Sequence, residues 1–301
     1  MIKKIIKKII PEVLVTAAKN KYYKLKSAKA KKVFDVASAS PDFLNKEMLE
    51  QLHRKYKFDT YVSYDADALL LRGEERAEEM KQKIGAAFSS IKTCLEIGCG
   101  DGMVSSVLSQ NGIRCTALDY DNYLFDKRAA KNNVEFIISD AAKIPLESET
   151  FDFVFSYNSF EHISKPDDAF IEALRMVKKN GYLFLSFNPL YPSTYGFHAY
   201  KSTQIPYLQI MFRENDIVNF ISENNLPDIS FSLKYLNKWS ITQFRELWKK
   251  NMDKFTIEMN NEIPNYFGVD LISKYPSCFK SKSTHLDDFI ISGIELLVRK
   301  K

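Results

Sequence analysis

The chain has no apolar run of the roughly 18–20 residues that a membrane-spanning helix needs, and its early apolar stretch is broken at Pro11-Glu12. Neither a membrane span nor a signal-peptide core is therefore predicted. Cysteine is scarce: Cys94, Cys99, Cys115 and Cys278 are the full set, with no short paired spacing, and three of them fall in or beside predicted core strands. That pattern disfavours disulfides and zinc, assigns no metal ligands, and suits a reducing cytoplasm. Acid is almost missing from residues 1–32, where eleven lysines face Glu12 alone, while the whole chain carries only +5. The basic character thus belongs to the N-terminus, and the rest of the chain is net acidic. Internal repeats are absent, and nothing beyond the lysine-rich start has low complexity. What is present is 45% apolar content over 301 residues, enough to bury a sizeable core and to exclude disorder throughout.

The lysine-rich start is patterned. Ile2, Ile5, Ile6, Ile9 and Ile10 would share one helical face, and Lys3, Lys4, Lys7 and Lys8 the other. Two readings stay open: a helix lying on an anionic membrane or a protein partner through residues 1–32, or a peripheral helix packing its isoleucines on its own domain. Residues 42–92 read as mostly helical cover, with acid pairs at Glu74-Glu75 and Glu78-Glu79 suited to a helix N-terminal half.

From Thr93 the texture changes to short β-type runs alternating with helical ones: Thr93–Ile97, Arg114–Leu118, Val134–Ile138, Phe151–Ser156 and Tyr182–Phe187. Such alternation predicts a doubly wound α/β fold, with helices on both faces of a mainly parallel sheet. The helix between the last two of these strands should start near Pro166-Asp167 and stop at a left-handed Asn180-Gly181 cap. After Asn188-Pro189 the chain becomes irregular and aromatic to about Lys238, too long for an ordinary loop, and is read as an inserted cap. A helix over Ser240–Lys250, a strand over Phe255–Met259 and a final strand over Asp288–Val298 would complete the sheet.

The most informative stretch is Leu95-Glu96-Ile97-Gly98-Cys99-Gly100-Asp101-Gly102, a strand feeding three glycines at alternate positions. It reads as a nucleoside-binding turn, with backbone N–H groups opening toward a ligand. Asp119 ends the next strand, 21 residues after Gly98, where a carboxylate can accept both hydrogen bonds of a ribose diol. Asp140 ends the third strand, where it and the N–H of Ala141 could read an adenine edge, or it could simply cap a turn. A dinucleotide fingerprint would place Gly or Ala where Met103 stands, which weakens a pyrophosphate reading.

These glycines, with Glu96, Asp119, Asp140, the strand Phe151-Asp152-Phe153-Val154-Phe155-Ser156 and the following Glu161-His162 pair, resemble the class I S-adenosylmethionine-dependent methyltransferases, most closely their broad small-molecule branch. The resemblance covers about Thr93 to Phe187. It implies a Rossmann-like seven-stranded sheet with an antiparallel last strand, and S-adenosyl-L-methionine as cofactor. By this resemblance the backbone of Gly98, Cys99 and Gly100 meets the methionine part, and Glu96 helps orient its ammonium. Asp119, followed by Tyr120, holds the ribose; Asp140 and Ala141 face adenine; Asn158 lies beside the sulfonium. Arg72 is a further candidate for the methionine carboxylate. The implied organisation is a basic N-terminus and helical cover over 1–92, then a methyltransferase domain over 93–301, with a cofactor half (93–187), a substrate cap (188–240), and a final helix and strands (241–301).

Methyl transfer from a sulfonium needs alignment more than it needs a base, except where the acceptor is protonated at neutral pH. His162, after the fourth strand, and His198, in the cap, are the candidate general bases, each weighed against a structural role. The aromatics from Tyr191 to Phe212, with Tyr56, Tyr61 and Tyr64, either close over a planar or sugar-like ligand or form the core between cap and sheet. The acceptor expected is a hydroxyl or amine of a small metabolite, a sugar or a lipid-linked glycan. Nucleic acid is disfavoured, because the basic charge is confined to one end and Ser156-Tyr157-Asn158-Ser159 departs from the Asn/Asp-Pro-Pro-aromatic motif of amino-base methyltransferases. A non-catalytic partner-binding protein on the same fold is the remaining alternative.

Overall fold

The computed structural model describes residues 12–57 and 64–301. The isoleucine-lysine pattern of residues 2–10 and Tyr61 lie outside the described residues. Among the described residues three helices come first: α1 (Glu12–Val36), α2 (Lys46–Lys55) and α3 (Ala66–Ile84). The last two start where the sequence offers a cap, Asn45 accepting from the Met48 N–H and Asp65 from the Ala68 N–H.

Alternating strands and helices follow: β1 (Thr93–Ile97), α4 (Met103–Gln110), β2 (Arg114–Asp119), α5 (Lys127–Lys131), β3 (Glu135–Ile138), β4 (Phe151–Tyr157), α6 (Pro166–Met176) and β5 (Val177–Phe187). The chain then builds α7 (Leu208–Met211), α8 (Glu214–Glu223), α9 (Ser230–Tyr235) and α10 (Ile241–Lys250) before β6 (Phe255–Pro264). Three short helices, α11 (Val269–Lys274), α12 (Pro276–Lys280) and α13 (Asp287–Ile290), precede β7 (Ile291–Lys300). The sheet has seven strands in the order β3-β2-β1-β4-β5-β7-β6; the first five run parallel, and β7 lies antiparallel between β5 and β6. This is the Rossmann-like architecture with one antiparallel strand that the resemblance implies. Strand order reverses between β1 and β4, and that switch point, at the carboxyl ends of the strands, is where this topology leaves a crevice.

Period-two alternation sorts the strands onto two cores. Cys94, Cys115, Ala117, Phe153, Phe155 and Phe184 pack under α3 and α4, whereas Leu95, Ile97, Val154, Leu183 and Leu185 pack under α6 and α10. Glu96 falls on the α3/α4 side by the same alternation, a buried carboxyl among apolar neighbours. The four cysteines carry no disulfide.

Three expectations are corrected. Helix α6 stops at Met176, because Val177 is fully buried and pairs with Phe151 in β4, so sheet burial outcompetes another helical turn. Asn180 is left-handed (φ 64°) as expected, yet it sits inside β5. The last strand begins at Ile291 rather than Asp288, since buried Asp288 accepts the Thr242 N–H at 3.0 Å and the run Asp287–Ile290 closes a helical turn. Strand β6 continues to Pro264, five residues past the predicted Met259.

The cap is also larger than residues 188–240. A third core unites Phe197, Ile205, Tyr207, Met211, Phe212 and Phe220 with Val269, Ile272, Phe279 and Phe289 from the segment between β6 and β7, and with Ala30 and Phe34 of α1 and Leu49 and Leu52 of α2.

Candidate active site

The glycine run forms a tight loop between β1 and α4. Gly98, Gly100 and Gly102 all have left-handed backbones, with φ of 69°, 53° and 72°. The Gly98 and Cys99 N–H groups are tied to the Leu118 carbonyl at 2.8 and 3.0 Å, and the Gly100 N–H donates to Asp119 Oδ2 at 2.7 Å. A Cβ on Gly98 would overlap Cβ and Oγ of Ser159, which follows β4. The first turn after β1 is thus locked against both neighbouring strand ends.

Each predicted cofactor residue has a definite place. Glu96 Oε2 accepts from both the Ser105 N–H (3.1 Å) and its hydroxyl (2.6 Å), so this carboxyl braces the first turns of α4. Burial pushes its pKa up to about 8, against the Ser105 hydrogen bonds that favour the charged form. Asp119, at the tip of β2, accepts from Gly100 N–H on Oδ2 and from Tyr120 N–H on Oδ1, and its pKa is raised, chiefly by burial. Asp140 is exposed and accepts the Ala142 N–H at 2.9 Å, a turn-capping geometry, beside buried Ala141. Cys99 is buried and its thiol pushed well up by desolvation, which leaves no thiolate for chemistry. Tyr120 is 73% exposed and stands with exposed Tyr123, Leu124 and Ile138 around the ends of β2 and β3, an unusually apolar rim for a surface.

At the end of β4, Asn158 is left-handed (φ 47°), exposed, and tied by its N–H to the Ser186 carbonyl at 2.8 Å. The next turn carries Glu161 and His162. Glu161 is 3% exposed, and neither of its carboxyl oxygens makes a well-formed hydrogen bond, although the backbone N–H groups of Glu161 and Asn188 lie near enough to favour its ionised form. Burial raises its pKa to about 8. His162 Nε2 lies 4.0 Å from Glu161 Oε1, its Nδ1 is buried without a partner, and its ring meets the His198 ring edge to face with centroids 4.9 Å apart. Burial lowers both imidazoles, His198 to about 4 with the neighbouring His162 adding to the effect, so both are neutral at neutral pH. His198 is itself left-handed (φ 55°), and its Nε2 stands 3.3 Å from the Pro189 carbonyl. The two candidate bases, far apart in sequence, are therefore in contact, and Phe231 of α9 closes on His162 from the cap side at 5.3 Å.

One charged residue was not anticipated. Arg76 of α3 holds its guanidinium 4.9 Å over the Tyr157 ring, and its positive charge favours the ionised form of both Glu96 and Glu161. Arg72, one turn earlier, sits instead over Tyr64. Helix α3 reaches this position because Gly73 has no side chain: a Cβ there would stand 2.8 Å from the Met103 carbonyl oxygen. A glycine in a helix interior was the available signal. Of the cap aromatics, Phe197, Tyr207 and Phe212 are core, while Tyr195 stacks on Phe267, whose ring also meets that of Tyr56 edge to face. No group of histidines, cysteines and acids among the described residues could hold a metal ion.

Residues 95–185 match the family described as "Methyltransferase domain". The chain is 28% identical over 102 residues to a ubiquinone biosynthesis O-methyltransferase of Coxiella burnetii, covering 32% of this chain and 43% of that protein. It is 28% identical over 160 residues to a malonyl-[acyl-carrier protein] O-methyltransferase of Methylovorus sp., covering 49% of this chain and 53% of that protein. The chain thus spans about half the length, or less, of these curated relatives. Among solved structures it is similar to a putative S-adenosylmethionine-dependent methyltransferase from Listeria monocytogenes (15% identity, 77% of this chain and 99% of that one, TM-score 0.46). The matched residues hold the glycine loop and most of the five parallel strands, so the methyltransferase-domain match and the crevice at the switch point fall on the same part of the chain.

Proposed function

We propose that this protein moves a methyl group from S-adenosylmethionine to a hydroxyl or amine of a small metabolite, a sugar or a lipid-linked glycan by in-line displacement. The observation that carries the reading is the buried Glu161 carboxyl, without a well-formed hydrogen bond, beside two neutral histidine rings at the strand-order switch point. Burial holds such a carboxyl as the neutral acid in the free protein, and a cationic cofactor beside it would favour its ionised form and be held by it. S-adenosylmethionine supplies a methyl group on a positively charged sulfur that leaves without further activation.

The chain's own residues would do the rest. The backbone of Gly98–Gly100 and the Arg76 guanidinium would hold the amino-acid end, with Glu96 keeping α4 seated behind the loop. Asp119 would exchange one of its backbone bonds for the ribose hydroxyls, and the apolar rim around Tyr120 and Ile138 would flank the base, with Asp140 and Ala141 at its edge. Asn158 would border the reacting centre. His198 donating Nε2–H to Pro189 leaves Nδ1 as its lone-pair nitrogen, so a neutral His198 or His162 can take the proton of an acceptor hydroxyl. The basic first 32 residues would bring the enzyme to an anionic surface or partner.

Titration calorimetry with S-adenosylmethionine and its demethylated product tests this reading. Saturable binding is expected, weakened roughly 10- to 100-fold by Asp119→Ala through loss of two charge-assisted hydrogen bonds. Absence of saturable binding, or affinity untouched by Asp119→Ala, overturns it.

A further inference from the structure

Away from the cofactor cleft, a cavity of about 540 Å³ opens where the cap meets α10 and α13. None of the glycine-loop residues, Asp119, Asp140, Asn158, Glu161, His162 or His198 lines it. Its volume is in the range of small-molecule sites. One side is aromatic, from Phe43, Tyr191, Phe212 and Phe289, and the rim is basic.

Its charges are unevenly answered. Asp288 is committed, accepting the Thr242 N–H at 3.0 Å on one oxygen and the Ser283 hydroxyl at 2.6 Å on the other. Glu214 is paired with Lys238 at 3.7 Å. That leaves Arg213 and Lys282, which converge on a single ring: the guanidinium lies 5.1 Å and the ammonium 3.9 Å from the Phe43 centroid. Neither has an ion-pair partner among the described residues. Two cations gathered on one aromatic ring without a carboxylate gain only what the ring quadrupole offers, and each repels the other. Desolvation already lowers the Lys282 pKa, as expected for an ammonium short of counter-charge. Helix α8 also begins at this rim, with no side chain capping its first N–H groups.

A second, independent observation points to a ligand. Gln209 is only 9% exposed and lines the cavity. Its Nε2 donates to two backbone carbonyls, those of Tyr191 and Ser193, so the amide cannot be turned over without facing oxygen with oxygen. Its Oε1 is buried with no donor. A buried acceptor with no donor is costly, and a small shift of the Gln209 side chain toward the cavity would let the hydroxyl or N–H of a bound molecule answer it.

We infer that this cavity is a second binding site, which takes an organic anion with an aromatic or apolar body and one hydrogen-bond donor. The anionic head would meet Arg213 and Lys282, the body would lie along Phe43, Tyr191 and Phe289, and the donor would satisfy Gln209 Oε1. This site does not depend on methyl transfer: it stands on residues the cofactor cleft does not use, and it would persist if the chemistry proposed for the cleft failed.

The test uses the full chain and three related probes in titration calorimetry: 3-(4-hydroxyphenyl)propionate, its methyl ester, and 3-phenylpropionate. The site is supported by saturable binding of the hydroxy acid, about tenfold or more weaker binding of the neutral ester, and a several-fold loss for the acid lacking the hydroxyl. Lys282→Met and Arg213→Met should each weaken the hydroxy acid about tenfold while S-adenosylmethionine affinity and the thermal midpoint stay at wild-type values. Both side chains are surface-exposed, so the variants fold. No binding at millimolar hydroxy acid, equal binding of acid and ester, or affinity unchanged in both variants overturns the inference.

Discussion

The Ser159 hydroxyl donates a 2.8 Å hydrogen bond to the carbonyl oxygen of Gly98, joining the loop after β4 to the loop after β1 across the point where strand order reverses. Ser156 repeats the connection one step lower, its hydroxyl reaching the Ile97 carbonyl at 2.8 Å. The two halves of the crevice are therefore fastened together by side chains of β4 and its following turn. With the Gly98, Cys99 and Gly100 N–H groups also held, by Leu118 and Asp119, the loop keeps one shape and need not order itself when a ligand arrives.

That contact makes residue 98 intolerant of any side chain. Gly98→Ala would combine a left-handed alanine with overlap on Ser159, together costing about 2–4 kcal/mol by urea denaturation, and cofactor binding should be lost with it. Gly98→Ala/Ser159→Gly removes the overlap but also the Ser159 hydroxyl bond to Gly98, so the alanine should cost about 1 kcal/mol less when measured against Ser159→Gly alone than in the wild-type background. An equal cost of the alanine in both backgrounds would show that Ser159 does not enforce the glycine.

Much of this cleft was legible because it is local. The strand at Thr93–Ile97 is bounded as predicted, and apolar runs stopped by glycine or acid place Glu96 and Asp119 in the last residues of β1 and β2 without tertiary information, whereas β3 stops at Ile138 and leaves Asp140 in the turn beyond it rather than at the strand's end. What was hidden depends on packing between distant segments. Whether Arg72 or Arg76 faces the cleft is decided by how deeply α3 seats on α4, which the contact between Gly73 and Met103 sets. The cap's second half, around Val269 to Phe289, reads as an ordinary polar-apolar mixture until α1 and α2 are seen to cover it. His162 and His198 were both candidates, but 36 residues separate them, and only the fold shows that their rings touch.

Glu161 should impose a pH dependence on stability with a definite sign. Its folded pKa is raised, from an ordinary 4.5 to about 8, so between those values the folded state holds a proton that the unfolded state has released. Stability from this source is complete below about pH 4.5 and is lost as pH rises toward 8; Glu96 acts in the same direction. The histidines, with lowered pKa values, act oppositely, but only below about 6.5. Between pH 6.5 and 8.5 the carboxyls alone remain, and the melting temperature should fall. Glu161→Gln should flatten that slope, and a slope identical to wild type would show that Glu161 ionises freely in the folded protein.

Arg76 offers a sharper test of which group meets the amino-acid end of the cofactor. Removing a guanidinium that pairs with a carboxylate costs about 1.5–3 kcal/mol, so Arg76→Ala should weaken S-adenosylmethionine binding roughly 10- to 100-fold, while Arg72→Ala should change it less than about threefold. Decarboxylated S-adenosylmethionine separates a direct contact from a general loosening of the cleft. It should bind wild type and Arg76→Ala alike if the carboxylate is the partner, whereas an equal loss for both ligands would reassign Arg76 to holding Tyr157 and the buried carboxyls in place.

The basic N-terminus makes its own prediction. Helix α1 is anchored on the cap by buried Ala30 and Phe34, yet it exposes Lys29, Lys31 and Lys32 together with Leu25 (64% exposed) and Tyr22 (53% exposed). Lysines beside exposed apolar groups suit an anionic lipid surface, where each contributes about 1 kcal/mol close to the headgroups. Full-length protein should float with vesicles rich in phosphatidylserine, not with neutral phosphatidylcholine, and should be released at about 0.5 M salt as charges are screened. Replacing Lys3, Lys4, Lys7 and Lys8 by glutamine should lower the vesicle affinity by two to three orders of magnitude and leave the thermal midpoint unchanged. Binding that ignores both salt and these four lysines would exclude an electrostatic surface contact and return the isoleucine-lysine segment to a packing role.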